Sequence, residues 1–369
     1  MSPLRSQDLT LAHQMEARIK AFGFTSFAWL PLKAPPTLDQ YRSWLENDYH
    51  GEMKYLEDHL ELKSHPGKLL PGALFALVVT QDYYPAPQPC PDLKEHLPHQ
   101  RIALYAQNSD YHHWFLQQLK DLAQDFSELL PKEDFLCATD SKPILERDLA
   151  VQAGLGWVGK NTCLIHPQQG SLFFIGEILT TWAHPSPPEI KAVHDFCGTC
   201  NRCIEACPTQ AFQAPRELDA RKCISYLTIE SKVSPPESLR PLMGDWLFGC
   251  DICQTVCPWN EKVFGPEMKR LSASDPVELR KTLLENSTLR QKKIKELSWI
   301  LSASGKALSR AFAQSPLSRA AGRGLKRNAM IVAANLGLFE LKEEIEKTAH
   351  KYPPLQELSQ WCLERIKIH

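Results

Sequence analysis

The stretch AGLGWVGKN, residues 153–161, sets Gly154, Gly156 and Gly159 in the order G-x-G-x-x-G, and Glu177 follows at a distance tolerable for a ribose-binding carboxylate. A dinucleotide-binding loop must follow a strand and open a helix, because the pyrophosphate rests on that helix's N-terminus. Here the order is reversed. The preceding PILERDLAVQA puts Leu145, Leu149, Ala150 and Ala153 at helical spacing, with Pro143 in the first turn and Gly154 where a C-cap glycine belongs. NTCLI and SLFFIGEILTTW follow, apolar and β-prone, with PQQG between them, which predicts a hairpin. The loop therefore calls for an explanation other than a nicotinamide cofactor.

The 369 residues suffice for two or three domains with cores of their own, and 43% hydrophobic with 23% charged residues is a soluble globular composition. No apolar run approaches the ~18 residues of a membrane span. The N-terminal MSPLRSQDLTLAHQMEARIK reads as an amphipathic helix of mixed charge, without the pattern of a signal peptide or a twin-arginine pair, so the cytoplasm is expected. Twelve cysteines without a secretion signal point away from disulfides. The net charge of −1 conceals an asymmetry: residues 266–369 hold 19 Lys and Arg against 11 Asp and Glu. A basic end on a near-neutral protein implies a polyanionic partner.

Helical patterns at 7–22, 38–60 and 110–130 alternate with strand-like runs at 73–80, 134–139, 161–166 and 171–182, an α/β or α+β pattern. Pro-rich HPSPPEI, 184–190, reads as a linker. From about 275 the signal is helical throughout, in short segments separated by turns. The organisation expected is a multidomain α+β chain: 1–188 an α/β domain, 189–265 a cysteine-bearing domain, 266–369 a basic helical domain.

CGTCNRCIEACP is C-x2-C-x2-C-x3-C-P, from Cys197, Cys200, Cys203 and Cys207 to Pro208. This is the bacterial ferredoxin spacing, in which the fourth cysteine ligates the other cluster. CDICQTVCP supplies Cys250, Cys253 and Cys257, and Cys223 is available to complete the set. Exchange then pairs Cys197, Cys200, Cys203 and Cys257 on one 4Fe–4S cluster, and Cys207, Cys223, Cys250 and Cys253 on the other. Zinc ribbons use pairs of C-x2-C, which this is not. Cys90, Cys137, Cys163 and Cys362 have no ligand spacing and read as small core residues.

Asp140 follows the apolar DFLCA and emerges at a strand mouth, where a catalytic group or a helix N-cap would be placed. Glu146 and Arg147 read as helix surface or an ion pair. D-S-x-P-x-x-E-R, then AGLGWVGKNT, then GCDICQTVCPWN resemble the epoxyqueuosine reductase family, cobalamin-dependent iron–sulfur enzymes of tRNA modification. The resemblance covers nearly the whole chain. It implies a cobalamin-binding first domain, a two-cluster ferredoxin-like second and a HEAT-like helical tail. It implies removal of the epoxide oxygen from epoxyqueuosine at the tRNA wobble position, giving queuosine, with Asp140 as proton donor. Around the cobalamin it places Lys63, Ala103, Asp140, Leu164 and Ile175, with Gly156, Gly159, Lys160 and Asn161 of the glycine loop and Cys250 and Asp251 beside a cluster. The glycines would let backbone approach a flat macrocycle. Burial beside a corrin face would keep Asp140 protonated near neutral pH. Arg319, Arg323, Lys326 and Arg327 are expected to hold tRNA phosphates. An external flavodoxin or ferredoxin is expected to supply electrons to a monomer. A corrinoid reductive dehalogenase would share the cofactors but would be expected to carry an export signal and lack the basic tail. A ferredoxin-type carrier would explain the cysteines alone.

Overall fold

The computed structural model describes residues 6–272 and 276–367, so 1–5 of the expected first domain and 273–275 and 368–369 of the expected tail lie outside the described residues. Packing divides the chain into two units. One comprises Met1–Asp48, Met53–Pro85 and Tyr111–Cys200; the other comprises Tyr49–Glu52, Ala86–Asp110 and Asn201–His369.

The first unit runs α1 (Ser6–Ala21), β1 (Ser26–Pro31), α2 (Leu38–Glu46), α3 (Leu60–Ser64), β2 (Phe75–Asp82), α4 (Tyr111–Leu129), β3 (Phe135–Ala138), α5 (Glu146–Gln152), β4 (Trp157–Val158), β5 (Leu164–Ile165) and β6 (Phe173–Thr180). Its sheet has the order β1-β2-β6-β3 with every pair antiparallel, so the unit is α+β. β6 lies inside the sheet, paired from Phe75↔Thr180 to Asp82↔Phe173 on one side and from Phe135↔Thr180 to Ala138↔Glu177 on the other. Alternation along a strand sends its side chains to opposite faces. A Cβ at Gly176 would lie 2.8 and 2.9 Å from Leu119 and Phe115, so that face of β6 meets α4 at close approach. The opposite face carries Phe173, Ile175, Glu177 and Leu179. There Phe173 and Leu179 join Leu149, Ala150 and Ala153 from α5, Val78, Ala138 and Leu164 in one buried apolar cluster, with Ile175 packed against it.

α5 ends as its sequence requires. Gly154 has φ +72°, its N–H bonds to Val151 O at 3.0 Å, and Leu155 N–H bonds to Ala150 O at 3.0 Å. That is the Schellman closure, with Leu155 and Ala150 buried together. The start differs from expectation: α5 begins at Glu146 with Leu145 at the cap, and Pro143 lies outside it. The hairpin also differs. β4 pairs with β5, whereas β6 belongs to the main sheet, and PQQG is closed only by a bridge between His166 and Gly170.

The second unit contains the tail helices α6 (Pro276–Glu285), α7 (Ser287–Ser302), α8 (Gly305–Ala311), α9 (Ala321–Leu336), α10 (Lys342–Lys351) and α11 (Gln356–Lys367). α9 is central, packed against α7, α8, α11 and the strand Trp246–Phe248. From Leu325 to Leu336 every residue is buried, so its polar side chains must find partners inside. Asn328 donates to Thr228 O and Leu247 O, and Asn335 to Arg240 O and Gly244 O. Among the described residues no helix is long and apolar enough to cross a membrane.

Candidate active site

Asp140 leaves β3 with φ +52°, a left-handed conformation that Asp tolerates better than most residues. Its carboxylate accepts from Tyr111 Oη at 2.7 Å and lies 3.2 Å from His112 Nε2, both in the first turn of α4. Its backbone N–H donates to Glu146 Oε1. Tyr111 is itself fixed, stacked at 4.2 Å on Phe174 of β6 and at 4.1 Å on His112. The Asp140 side chain is 53% exposed, so the carboxylate is oriented from below and open above. Asp140 is not the cap of α5, which begins six residues later.

Three further titratable groups interact with it electrostatically. Glu146, expected on the helix surface, turns back under the Asp140 loop. Burial, with the negative charge of Asp140 adding to it, pushes the Glu146 carboxyl up to about 8. Lys63 of α3 is buried, 5.7 Å from the centre of the Tyr41 ring. Burial draws its ammonium pKa down, while Glu146 and Asp140 pull it back up. Glu177 of β6 is 0% exposed, and neither carboxyl oxygen has a hydrogen-bond partner. Burial raises its pKa well above the carboxylate range, and the charges of Glu146 and Asp140 raise it further. Arg147 points the other way, donating to Thr162 O. Tyr111 and His112 were not singled out as site residues in the sequence, and Glu177 was considered only as the ribose carboxylate of the discarded dinucleotide reading. The readable signal was Glu177, the one charge within FFIGEILT.

The glycine loop has a local explanation. A Cβ at Gly156 would sit 2.2 Å from Ile165 O; at Gly159, 2.5 Å from the Ile165 side chain; at Gly154, 2.8 Å from Lys191 O. Backbone at Ile165 and Lys191 thus gives Gly156 and Gly154 a local reason to be glycine, beside the macrocycle approach that the sequence suggested. Asn161 is buried and accepts from Cys163 N–H at 3.2 Å, while Lys160 is half-buried in the same turn. Leu164 is in the core, and Ile175 is half-buried on the Glu177 face.

In the second unit, residues 101–104 run beside 246–251. Ala103 N–H bonds to Phe248 O at 2.9 Å and Leu104 N–H to the Asp251 carboxylate at 2.7 Å. Burial raises Asp251 to about 6. Gly249 has φ +69°, and a Cβ there would meet the Ala103 Cβ at 2.5 Å. Ala103, Cys250 and Asp251 are thus brought together. Cys250 is also close enough to Cys223 and Cys207 for their charges to raise its pKa, after the larger effect of burial. The Cys207 sulfur accepts Ala211 N–H at 3.3 Å. Three of the four cysteines grouped by the exchange rule therefore act on one another electrostatically. Of the other four, Cys90 and Cys362 are buried; Cys137 and Cys163 are half-buried.

The four tail cations separate into two kinds. Arg319 and Arg323 are exposed, Arg319 paired with Glu230 and Arg323 donating to Lys232 O at 3.2 Å. Lys326 is buried with its ammonium on Ile300 O and Leu301 O. Arg327 is buried with its guanidinium on Leu227 O, Ser231 O and Val233 O. The expectation that Lys326 and Arg327 meet phosphates is corrected: their donors are spent on buried carbonyls.

Residues 63–141 match the family model described as epoxyqueuosine reductase QueG, and residues 196–260 match the 4Fe-4S double cluster binding domain. An epoxyqueuosine reductase of Shigella dysenteriae is 38% identical over 276 residues, 73% of this chain and 72% of that protein. One from Cellulophaga algicola is 36% identical over 279 residues, covering 73% and 86%. The chain belongs to the epoxyqueuosine reductase family. With the Pseudomonas aeruginosa member the aligned part is shorter, 43% identical over 217 residues, 59% of this chain and 60% of the relative. A solved epoxyqueuosine reductase bound to an epoxyqueuosine-modified tRNA-Tyr stem loop shares the fold, with a TM-score of 0.77 at 24% identity over 97% of this chain and 91% of that one. The first matched segment begins at Lys63 and ends just past Asp140; the second contains all eight clustered cysteines.

Proposed function

We propose that this chain reduces epoxyqueuosine to queuosine at the wobble position of tRNA, with Asp140 as the proton donor. The observation that carries this reading is the Asp140 carboxyl, held in a left-handed turn by Tyr111, His112 and Glu146 yet open on its outer side, in a chain of this family. Substrate oxygen approaching the open side meets an oriented acid.

The residues fit the cofactors implied. Cys197, Cys200, Cys203 and Cys257 would hold one 4Fe–4S cluster; Cys207, Cys223, Cys250 and Cys253 would hold the other. The half-buried Ile175 and core Leu164, with polar Lys63, Lys160 and Asn161, offer an apolar floor and polar rim for cobalamin. Bound, these groups supply low-potential electrons singly. The protein's own part is to hold Asp140, deliver its proton and exclude charge from the Glu177 face. Gly156 and Gly159 serve by permitting the β4–β5 turn that carries Lys160 and Asn161.

Arg319 and Arg323 remain the tail residues able to meet phosphate. An external flavodoxin or ferredoxin as donor, a monomeric state, a cytoplasmic location and a division at 188 and 265 into cobalamin, ferredoxin-like and HEAT-like parts complete the reading. The test is anaerobic incubation of the reconstituted protein, cobalamin and a low-potential reductant with epoxyqueuosine-tRNA, followed by nucleoside analysis. Conversion to queuosine is expected; unchanged epoxyqueuosine with clusters and cobalamin bound would overturn the assignment.

A further inference from the structure

Reduction of an epoxide to an alkene consumes two electrons and two protons: both C–O bonds break, a C=C bond forms, and the oxygen leaves as water. Asp140 carries one acidic proton. Its side chain is 53% exposed, so solvent can reload it between turnovers. During a turnover the substrate lies over that same open side, and the second proton needs another source.

Beneath Asp140 the structure holds two carboxyl groups that the reaction as described above does not use. Glu177 is fully buried on an interior strand, with no hydrogen-bond partner for either oxygen. Its register neighbours are Val78 and Ala138, and it shares its face with Phe173, Ile175 and Leu179. A charge there would be uncompensated, and even a neutral acid loses hydrogen bonds it had in water. A buried polar group left in this condition calls for a reason. The same face packs against α5, whose first residue is Glu146, and Glu146 is hydrogen-bonded to the Asp140 backbone. The charged groups acting on this pair are Asp140 from the loop, Lys63 from α3 and Arg147 from α5. Asp148, also on α5, is engaged elsewhere with Thr37.

We propose that Glu177 and Glu146 are a proton reserve that reloads Asp140 within a single turnover. This rests on the proposed reaction. Asp140 gives its proton to the epoxide oxygen; the Glu146 side chain turns from the Asp140 N–H to the Asp140 carboxylate, which takes a proton as the Glu146 O–H breaks; the Glu177 side chain, held by no hydrogen bond, turns to Glu146 and replaces that proton as its own O–H breaks; and Asp140 gives the second proton, releasing water. The two electrons come from the low-potential one-electron donor already named. Neither Glu177 nor Glu146 touches substrate; both act through Asp140.

Two measurements test this. Infrared spectroscopy of the protein alone reads the carbonyl stretch of protonated carboxyls. Glu146 and Glu177 should each give a band at pH 7; the one belonging to Glu177 should vanish in Glu177→Gln and persist in Asp140→Asn and Glu146→Gln. Single-turnover reduction with a preformed enzyme–tRNA complex reads the proton supply. Wild type should slow as pH rises through about 8, where Glu146 loses its proton. Glu177→Gln should be roughly 10–10²-fold slower at pH 7, at or below the low end of the ~10²–10⁴ range for lost acid–base catalysis, because Asp140 still delivers the first proton. Glu146→Gln is the second variant, expected to slow turnover and abolish the fall near pH 8, and it keeps the test open should Glu177→Gln not fold. A protonated-carboxyl spectrum left wholly unchanged by Glu177→Gln would overturn the proposal, and so would a lost Glu177 band with unchanged rate and pH profile. If wild type does not reduce the substrate at all, the reaction reading fails and the relay with it, whereas the infrared result alone reports the protonation of Glu177.

Discussion

Truncating Arg327 separates a structural cation from an RNA-binding one. Its guanidinium donates to Leu227 O, Ser231 O and Val233 O, and it is 2% exposed. Arg327→Ala would leave those carbonyls without their charged donor. A hydrogen bond to a charged group contributes about 1.5–3 kcal/mol net, so three such bonds bound the loss at roughly 4.5–9 kcal/mol. Relief from burying the guanidinium offsets part of this, since burial, with the Arg323 charge adding to it, pulls its pKa down to about 10. A loss of about 3–5 kcal/mol is expected, the range for breaking buried charged networks. At ~2–4 °C per kcal/mol the melting temperature should fall by roughly 6–20 °C. Arg323→Ala is the control. It is exposed with one backbone contact, and it should change stability by at most about 0.5 kcal/mol. It should also weaken tRNA binding and lower the slope of log affinity against log salt by about 1. The assays are calorimetry and tRNA titration over a salt series. An Arg327→Ala protein that melts like wild type but loses tRNA affinity and salt slope would refute the argument.

Asp140→Asn retains a residue that accepts a left-handed backbone, so the fold should persist while turnover drops by ~10²–10⁴ with cobalamin and tRNA still bound; single-turnover kinetics and binding titrations check it. Anaerobic reconstitution should load about eight iron per chain from eight ligands, and serine at Cys90, Cys137, Cys163 and Cys362 should leave the iron count intact. Because the folded-state pKa of Glu146 is raised from 4.5 to about 8, the folded protein binds more protons than the unfolded one in that window. Stability should therefore decline as pH rises through it, and urea titrations of Glu146→Gln should show a shallower decline. Gly156→Ala should destabilise the β4–β5 turn, since its Cβ would lie 2.2 Å from Ile165 O, and thermal melts of the variant read that loss.

Where the chain's local chemistry decides the outcome, the sequence was legible. Gly154 ends α5 because the preceding residues have helical spacing and the αL position favours glycine, and that reversed order alone removed the dinucleotide reading. The tail helices followed from their periodicity, and α9 stops at the αL Gly337. What failed depends on partners far along the chain. β5 was expected to pair forward with β6 but pairs back with β4, because a two-residue strand has too little pattern of its own to name its partner. β1 was not foreseen: SFAWLP is short and ends in Pro, and it becomes a strand through its register with β2.

The site divided along the same line. Asp140 was accessible because a strand mouth can be read from an apolar run, but its left-handed turn and its holders on α4 come from tertiary packing. Charge counting misled in the tail. A net of +8 is a property of composition, whereas binding phosphate requires exposed donors, and two of the four chosen cations spend theirs inside. Helical spacing alone could not separate them, because a polar residue on an inward face is permissible wherever backbone carbonyls lack partners. Burial inverts the lesson at Glu177. A cation buried among carbonyls is explained by its bonds and needs no other function, while a carboxyl buried without any bond is explained by nothing local. The buried group with no structural account is the one whose chemistry is worth measuring.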